Sequence, residues 1–183
     1  MNIVIIGPGA IGTLWATKLS TSGHNVAVWS TSIDHYLSLQ LDELPPTQFD
    51  NRELASIRQA DLLLVTVKAW QVESALEPLK AFIAPETMIT LMHNGMGTAD
   101  WACDTFSNNP LLLATTTHGA YKPTKHQVVH TGLGLTQIGG VNRSGKQCHF
   151  IQQVLQHALP EVTWCDNIEP VSYTHLTLPT TVF

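Results

Sequence analysis

No run of lysine or arginine occurs in this chain; its nine basic residues are scattered and its formal net charge is −5. That balance argues against nucleic acid or an anionic membrane as a partner. Long apolar runs are missing too. No stretch reaches the length of a membrane span, and the N-terminus lacks the basic flank of a secretory signal. Cysteine is scarce: Cys103, Cys148 and Cys165 are odd in number and form no C-x-x-C pair, so neither a disulfide framework nor a zinc site is expected. The nine histidines are dispersed, with no two at i,i+4 beside an acid, and read as surface and strand-end residues rather than metal ligands. Internal repeats and low-complexity tracts are also lacking. These absences leave a reduced, cytoplasmic, globular protein. Its 183 residues, 44% hydrophobic and 13% charged, suit one full domain and a fragment of another.

What is present is concentrated in the first twelve residues. They open with Met1-Asn2-Ile3-Val4-Ile5-Ile6, a short apolar run rich in β-branched residues of the kind that forms a buried parallel strand. It ends in Gly7-x-Gly9-x-x-Gly12, and a helical pattern (Leu14, Trp15, Leu19) follows at once. Strand, glycine turn and helix in that order give the dinucleotide fingerprint its meaning. Gly7 permits the sharp turn, Gly9 lets the backbone approach a pyrophosphate, and Gly12 lets helix and strand pack closely. The helix N-terminus adds N–H groups and a partial positive charge, so Gly7, Pro8, Gly9, Ala10, Ile11 and Gly12 form the expected phosphate loop.

The remaining pattern predicts an α/β fold: a Rossmann-type doubly wound sheet, mostly parallel, with an antiparallel edge pair. The first helix runs from Ala10 to Ser22 and stops at Gly23. Strands are predicted over Asn25–Trp29, Asp61–Val67, Met88–His93 and Leu111–Thr117, and a helix over Gln71–Ile83. Pro45-Pro46 breaks the segment from Ile33 to Arg58, which reads as loop with short pieces of structure. Gln127–His130 and Leu135–Ile138 flank Thr131-Gly132-Leu133-Gly134 and are expected to pair antiparallel with each other at the sheet edge. A helix over Gly145–Leu159 and a strand over Val162–Trp164 complete the pattern.

Ligands of open α/β sheets bind outside the carboxyl ends of the strands. Lys68 and Asn94 stand at two such ends, beside the glycine loop. An ammonium about 4 Å from a phosphate, in a surface-like dielectric, gains about 4 kcal/mol before desolvation is subtracted. Asn94 carries both a donor and an acceptor, and so can bond a ribose hydroxyl and a substrate oxygen. Taken alone, Lys68 is an ordinary solvated lysine and Asn94-Gly95 an ordinary turn; their shared position makes them a candidate site. At the end of the second predicted strand stand Ser30, Thr31 and Ser32, with no acid in place for a ribose 2′-hydroxyl and no arginine nearby. Their hydroxyls can bond a 2′-phosphate, which favours NADP.

Gly7-Pro8-Gly9-Ala10-Ile11-Gly12-x-Leu14-Trp15, Leu62 to Val72 with Lys68-Ala69-Trp70-Gln71, His93-Asn94-Gly95-Met96-Gly97-Thr98, and Thr115-Thr116-Thr117-His118-Gly119-Ala120 together resemble the ketopantoate reductase family. The resemblance extends from Met1 to about Ile168. It implies NADPH-dependent reduction of 2-dehydropantoate to pantoate, on the route to pantothenate and coenzyme A, with a small 2-oxo acid as the partner and NADP(H) as the cofactor. It also implies that Gly7 to Gly12 hold the pyrophosphate, that Lys68 contacts the cofactor, that Asn94 contacts cofactor and substrate, and that the Ala120 backbone neighbours the cofactor. Many relatives carry arginine at the 2′-phosphate where this chain has Thr31, which leaves Ser30, Thr31 and Ser32 as substitutes.

The family continues into a helical second domain whose first helix supplies the catalytic lysine. Here the chain instead reads Glu169 to Phe183, a segment with no lysine and no periodic apolar face. The expected organisation is therefore a dinucleotide-binding domain over 1–168 and an atypical, foreign or frame-shifted tail over 169–183, with the helical second domain absent and no catalytic residue present. Two alternatives stand beside the reductase: a stand-alone NAD(P)-binding module without catalysis, and a related 2-oxo-acid dehydrogenase.

Overall fold

A computed structural model describes residues 1–93 and 97–169, and the structural statements below concern those residues. The chain opens with β1 (Asn2–Ile6), α1 (Ala10–Thr21) and β2 (Asn25–Trp29). Then come β3 (Tyr36–Leu41), β4 (Thr47–Asp50), α2 (Leu54–Gln59) and β5 (Leu62–Val65). The middle of the chain forms α3 (Val72–Leu76), β6 (Met88–Met92), α4 (Thr98–Thr105) and β7 (Leu111–Thr116). It closes with β8 (Gly119–Thr124), β9 (Gln127–Gly132), β10 (Thr136–Gly140), α5 (Phe150–Ala158) and β11 (Val162–Trp164).

Seven strands form the main sheet, in the order β11-β10-β7-β6-β5-β1-β2. The five from β2 to β7 are parallel. β10 runs antiparallel to β7, and β11 runs parallel to β10, so the two edge strands oppose the rest. This is the expected doubly wound sheet with an antiparallel edge pair. Side chains alternate across it with the period of a strand: Ile3 and Ile5 enter one core with Leu14, Trp15 and Leu19 of α1, whereas Val4 and Ile6 enter a second core with Ile57, Val72 and Leu76. Burial on both faces explains why β1 and β5 read as unbroken apolar runs. No helix among the described residues is long and apolar enough to cross a membrane.

Four expectations are corrected. Residues 33–58 are not mainly loop: β3 and β4 pair antiparallel, and α2 follows. Leu37, Leu39 and Leu41 are buried while Tyr36 and Ser38 are exposed, a strand alternation that the proline pair obscured. Pro45-Pro46 lies in the turn between the strands, where a missing N–H costs no ladder bond. The segments 127–130 and 135–138 do not pair with each other. β9 joins a second sheet, ordered β4-β3-β9-β8, whereas β10 joins β7 in the main one. The helix expected over 71–83 is reduced to α3 and a 3₁₀ turn at Glu77–Phe82, where Pro78 cannot donate an i→i−4 bond; a separate 3₁₀ turn at Ala69–Gln71 precedes α3. The helix expected over 145–159 is likewise shorter, with a 3₁₀ turn at Gly145–Gln147 before α5.

The tail from Pro170 to Phe183 lies outside the described residues, as do Asn94, Gly95 and Met96. Ile168 is 1% exposed and belongs to the second core.

Candidate functional site

In the main sheet, the chain leaves β1 for β2 on one side and later returns as β5 on the other. A crevice must open at the carboxyl ends of β1 and β5, where the direction of winding reverses. The structure has a cleft of about 1210 Å³ there. Its floor is the loop Gly7–Ile11, and its walls come from Trp29 to Ser32 after β2, Thr66 to Gln71 after β5, His93 after β6 and Thr116 to His118 after β7. The second sheet, which packs on α1, adds Leu37, Ala120 and Lys122.

The three fingerprint glycines have different physical reasons. Gly7 has φ +85°, and a Cβ there would overlap the Val67 side chain. A Cβ on Gly12 would lie 2.6 Å from Thr66 Oγ1 and as close to the Gly7 carbonyl oxygen. Thr66 fixes this junction, its hydroxyl donating to the Gly7 carbonyl at 2.7 Å. At Gly9 a Cβ would meet nothing within 4 Å. Gly9 is therefore not required by packing; the space beside it is open cleft, as a group approaching the backbone would need. Gly9 also begins α1, whose N-terminus no side chain caps and whose first turn holds no acid. The Gly7 amide donates to the Trp29 carbonyl at 2.9 Å and the Gly9 amide to the Gly7 carbonyl at 2.8 Å, so what the loop offers an anionic diphosphate is the uncapped first turn of α1 from Ala10 onward.

The expected site residues are brought together, except that Asn94 lies outside the described residues. Gly7 to Ile11, Ser30, Thr31, Lys68 and Ala120 all line the one cleft, while Gly12 lies behind the loop as its packing residue. Lys68 is exposed at the rim. Gln71 holds its backbone from both sides, the Lys68 amide donating to Gln71 Oε1 at 3.1 Å and the Gln71 amide to the Lys68 carbonyl at 2.8 Å. Ser30 and Ser32 line the cleft, but their hydroxyl protons are used elsewhere: Ser30 Oγ donates to Asn51 Oδ1 at 3.0 Å and Ser32 Oγ to Asp34 Oδ2 at 3.1 Å.

Sequence reasoning missed Arg52. It stands just beyond β4, and its guanidinium reaches back to the end of β2, with Nη1 donating to the Ser30 carbonyl at 2.7 Å and Cζ lying 5.1 Å from the Trp29 ring centre. The sequence contains only one signal of this approach, an Asn51-Arg52 pair two residues before a helix. Lys122 and Lys125 were missed as well; burial lowers the Lys122 pKa, and the neighbouring Lys125 ammonium lowers it further. With Arg52 and Lys68 they are the charged side chains known to line the cleft; no acid joins them among the described residues. In a chain of net charge −5, this is a concentrated positive field suited to a polyanionic ligand.

Two histidines form the far wall. His93 Nε2 lies 2.8 Å from Thr98 Oγ1, and burial lowers its pKa. His118 is 5% exposed, with Nδ1 accepting from the Gly134 amide at 3.1 Å and lying 3.1 Å from His130 Nε2. Burial, and secondarily His130, lower the His118 pKa, so both rings are held in the neutral form.

Comparison with known proteins agrees with this geometry. A family profile described as "Ketopantoate reductase PanE/ApbA" matches residues 3–143. The chain is similar to the 2-dehydropantoate 2-reductase of Vibrio cholerae, with 51% identity over 169 residues that cover 92% of this chain and 57% of that protein. The Shigella flexneri protein of the same name is 37% identical over 172 residues, covering 92% of this chain and 56% of its own. The chain thus spans somewhat over half the length of these relatives. Among solved structures, D-mandelate dehydrogenase with NADH and anilino(oxo)acetate superposes with a TM-score of 0.84 at 21% identity, over 96% of this chain and 60% of that one. The 2-dehydropantoate 2-reductase of Methylococcus capsulatus gives a TM-score of 0.74 at 21% identity over the same shares. At that identity the structural likenesses speak for the fold.

Proposed function

The chain belongs to the ketopantoate reductase family, and from that premise we propose that its cleft holds NADPH for the reduction of 2-dehydropantoate to pantoate. The observation that carries the reading is the open space beside Gly9, at the floor of a cleft whose charged side chains are cationic among the described residues. A bound reduced nicotinamide would supply the hydride for a keto carbon. This chain's own residues bind and orient. The amides of Ala10 and Ile11, at the positive end of α1, take the diphosphate charge. Lys68, with its backbone fixed by Gln71, reaches the phosphates or ribose from the opposite rim. Asn94 is assigned the contact shared by cofactor and substrate, and the backbone at Ala120 neighbours the cofactor.

Keto reduction also needs a group that protonates or stabilises the developing alkoxide. We assign that role to no residue of these 183; the relatives extend well beyond the matched region. Residues 1–168 are proposed as the cofactor-binding unit of the reductase. Titrating nicotinamide fluorescence and following NADPH oxidation at saturating ketopantoate test both halves of the reading. The expected result is saturable NADPH binding without ketopantoate-dependent turnover. Turnover close to that of a full-length relative would make Lys68 the acid instead, and absence of binding would refute the cofactor assignment.

A further inference from the structure

We propose that Arg52 is the residue that selects a cofactor carrying a 2′-phosphate. The inference rests on reading the cleft as a dinucleotide site, in which the ribose 2′ position falls at the end of β2. Four observations converge there. Arg52 lines the cleft beside Ser30 and Thr31, although it comes from the far side of β4. Its guanidinium is held in place, bonded to the Ser30 carbonyl and set against the Trp29 ring. That bond uses one of five N–H donors, and Arg52 makes no ion pair among the described residues. Its charge is therefore uncompensated and its fork preorganised for a phosphate.

The backbone makes the same point. Arg52 has φ +61°, a conformation that favours glycine or asparagine. An arginine at such a position carries backbone strain, and the turn that imposes it is the one that directs the side chain to the cleft. The competing groups are turned elsewhere. Ser30 and Ser32 have donated their protons within the protein, and Asp34, the acid that follows β2 in the sequence, accepts from Ser32 and does not line the cleft. The acid that would favour a bare ribose is thus outside, and the cation that would favour a phosphate is inside.

The test compares dissociation constants of NADPH and NADH for the full chain, Arg52→Gln and Arg52→Lys, by nicotinamide fluorescence at low and high salt. The parent is expected to prefer NADPH, with a margin that shrinks as salt rises. Arg52→Gln should weaken NADPH binding by about 10- to 100-fold while NADH changes less than about twofold. Arg52→Lys should fall between. Retained NADPH preference in Arg52→Gln, or equal losses for both cofactors, would overturn the proposal. A parent that binds both cofactors equally overturns it but leaves the dinucleotide reading intact, whereas a parent that binds neither removes both. An independent measurement on the unsubstituted protein uses displacement of NADPH by adenosine 2′,5′-bisphosphate and by adenosine 5′-monophosphate. Displacement by the bisphosphate at about tenfold lower concentration supports the assignment, and equal displacement overturns it.

Discussion

Asn51 Oδ1 accepts both the backbone amide and the hydroxyl of Ser30, each at 3.0 Å. Asn51 Nδ2 donates in turn to the carbonyls of Ser32 and Asp34, at 3.0 and 2.6 Å. A single side chain, 1% exposed, therefore shapes the whole loop after β2. It also sits next to Arg52, so the turn that fixes the loop is the turn that delivers the cation to it.

Asn51→Ala should cost about 2–3 kcal/mol, because the Ser30 amide loses its partner in a part-buried site. The denaturant midpoint should fall with an unchanged m-value. A change below about 0.5 kcal/mol would mean that water replaces the amide group without penalty.

Gly9→Val and Gly12→Val should separate binding from folding. A Cβ at Gly9 meets no atom within 4 Å, so that variant should keep its melting temperature within a few degrees while losing dinucleotide binding. The Gly12 variant presses on the Gly7 carbonyl and Thr66, and should lose about 1–3 kcal/mol of stability. Unchanged NADPH affinity in Gly9→Val, read by nicotinamide fluorescence, would refute the phosphate loop.

Much of this arrangement was legible in the sequence because it is local. β1, α1 and β2 follow from an apolar run, three glycines and a helix-stopping Gly23, and the bounds of α1 and β2 agree with the pattern to within a residue. The second sheet was not legible, since nothing in Gln40 points to Gln127, its partner in a parallel ladder. α4 also escaped, being eight residues long with only Thr98 and Ala102 fully buried. Arg52 was hidden for the same reason as the second sheet: it acts on Ser30, 22 residues away, through a turn whose strands the proline pair obscures.

Acid should destabilise the fold through two histidines, the buried His118 and the part-buried His93. His93 and His118 both have pKa values lowered from the ordinary 6.5, chiefly by burial. Below that value the unfolded chain takes up protons that the folded chain refuses, so stability rises with pH there. The denaturant midpoint should be flat above about pH 6.5 and fall as pH drops below it. His118→Gln should make the decline shallower; an equally steep decline would show that His118 is not among its causes.

Thr31→Arg adds a second cation at the wall already occupied by Arg52. Thr31 is exposed and lines the cleft, so the fold should tolerate the change. The preference for NADPH over NADH should widen by roughly 1.5–3 kcal/mol if the new guanidinium reaches the 2′-phosphate. A narrower preference, measured by competitive titration, would place the phosphate elsewhere.

The pairing of β3 with β9 has a consequence for how the chain acquires its shape during synthesis. Gln40 leaves the ribosome 87 residues before its partner Gln127 (127 − 40). At ordinary elongation rates that interval is roughly 4–17 s. Throughout it, Leu37, Leu39, Leu41 and Phe49 have only part of their final cover, because β8 and β9 do not yet exist. One wall of the cleft is thus among the last parts to close, and nascent chains halted before residue 127 should be captured by hydrophobic-binding chaperones and cleaved readily near the β3–β4 hairpin. Chains released with β10, α5 and β11 complete as well should resist both.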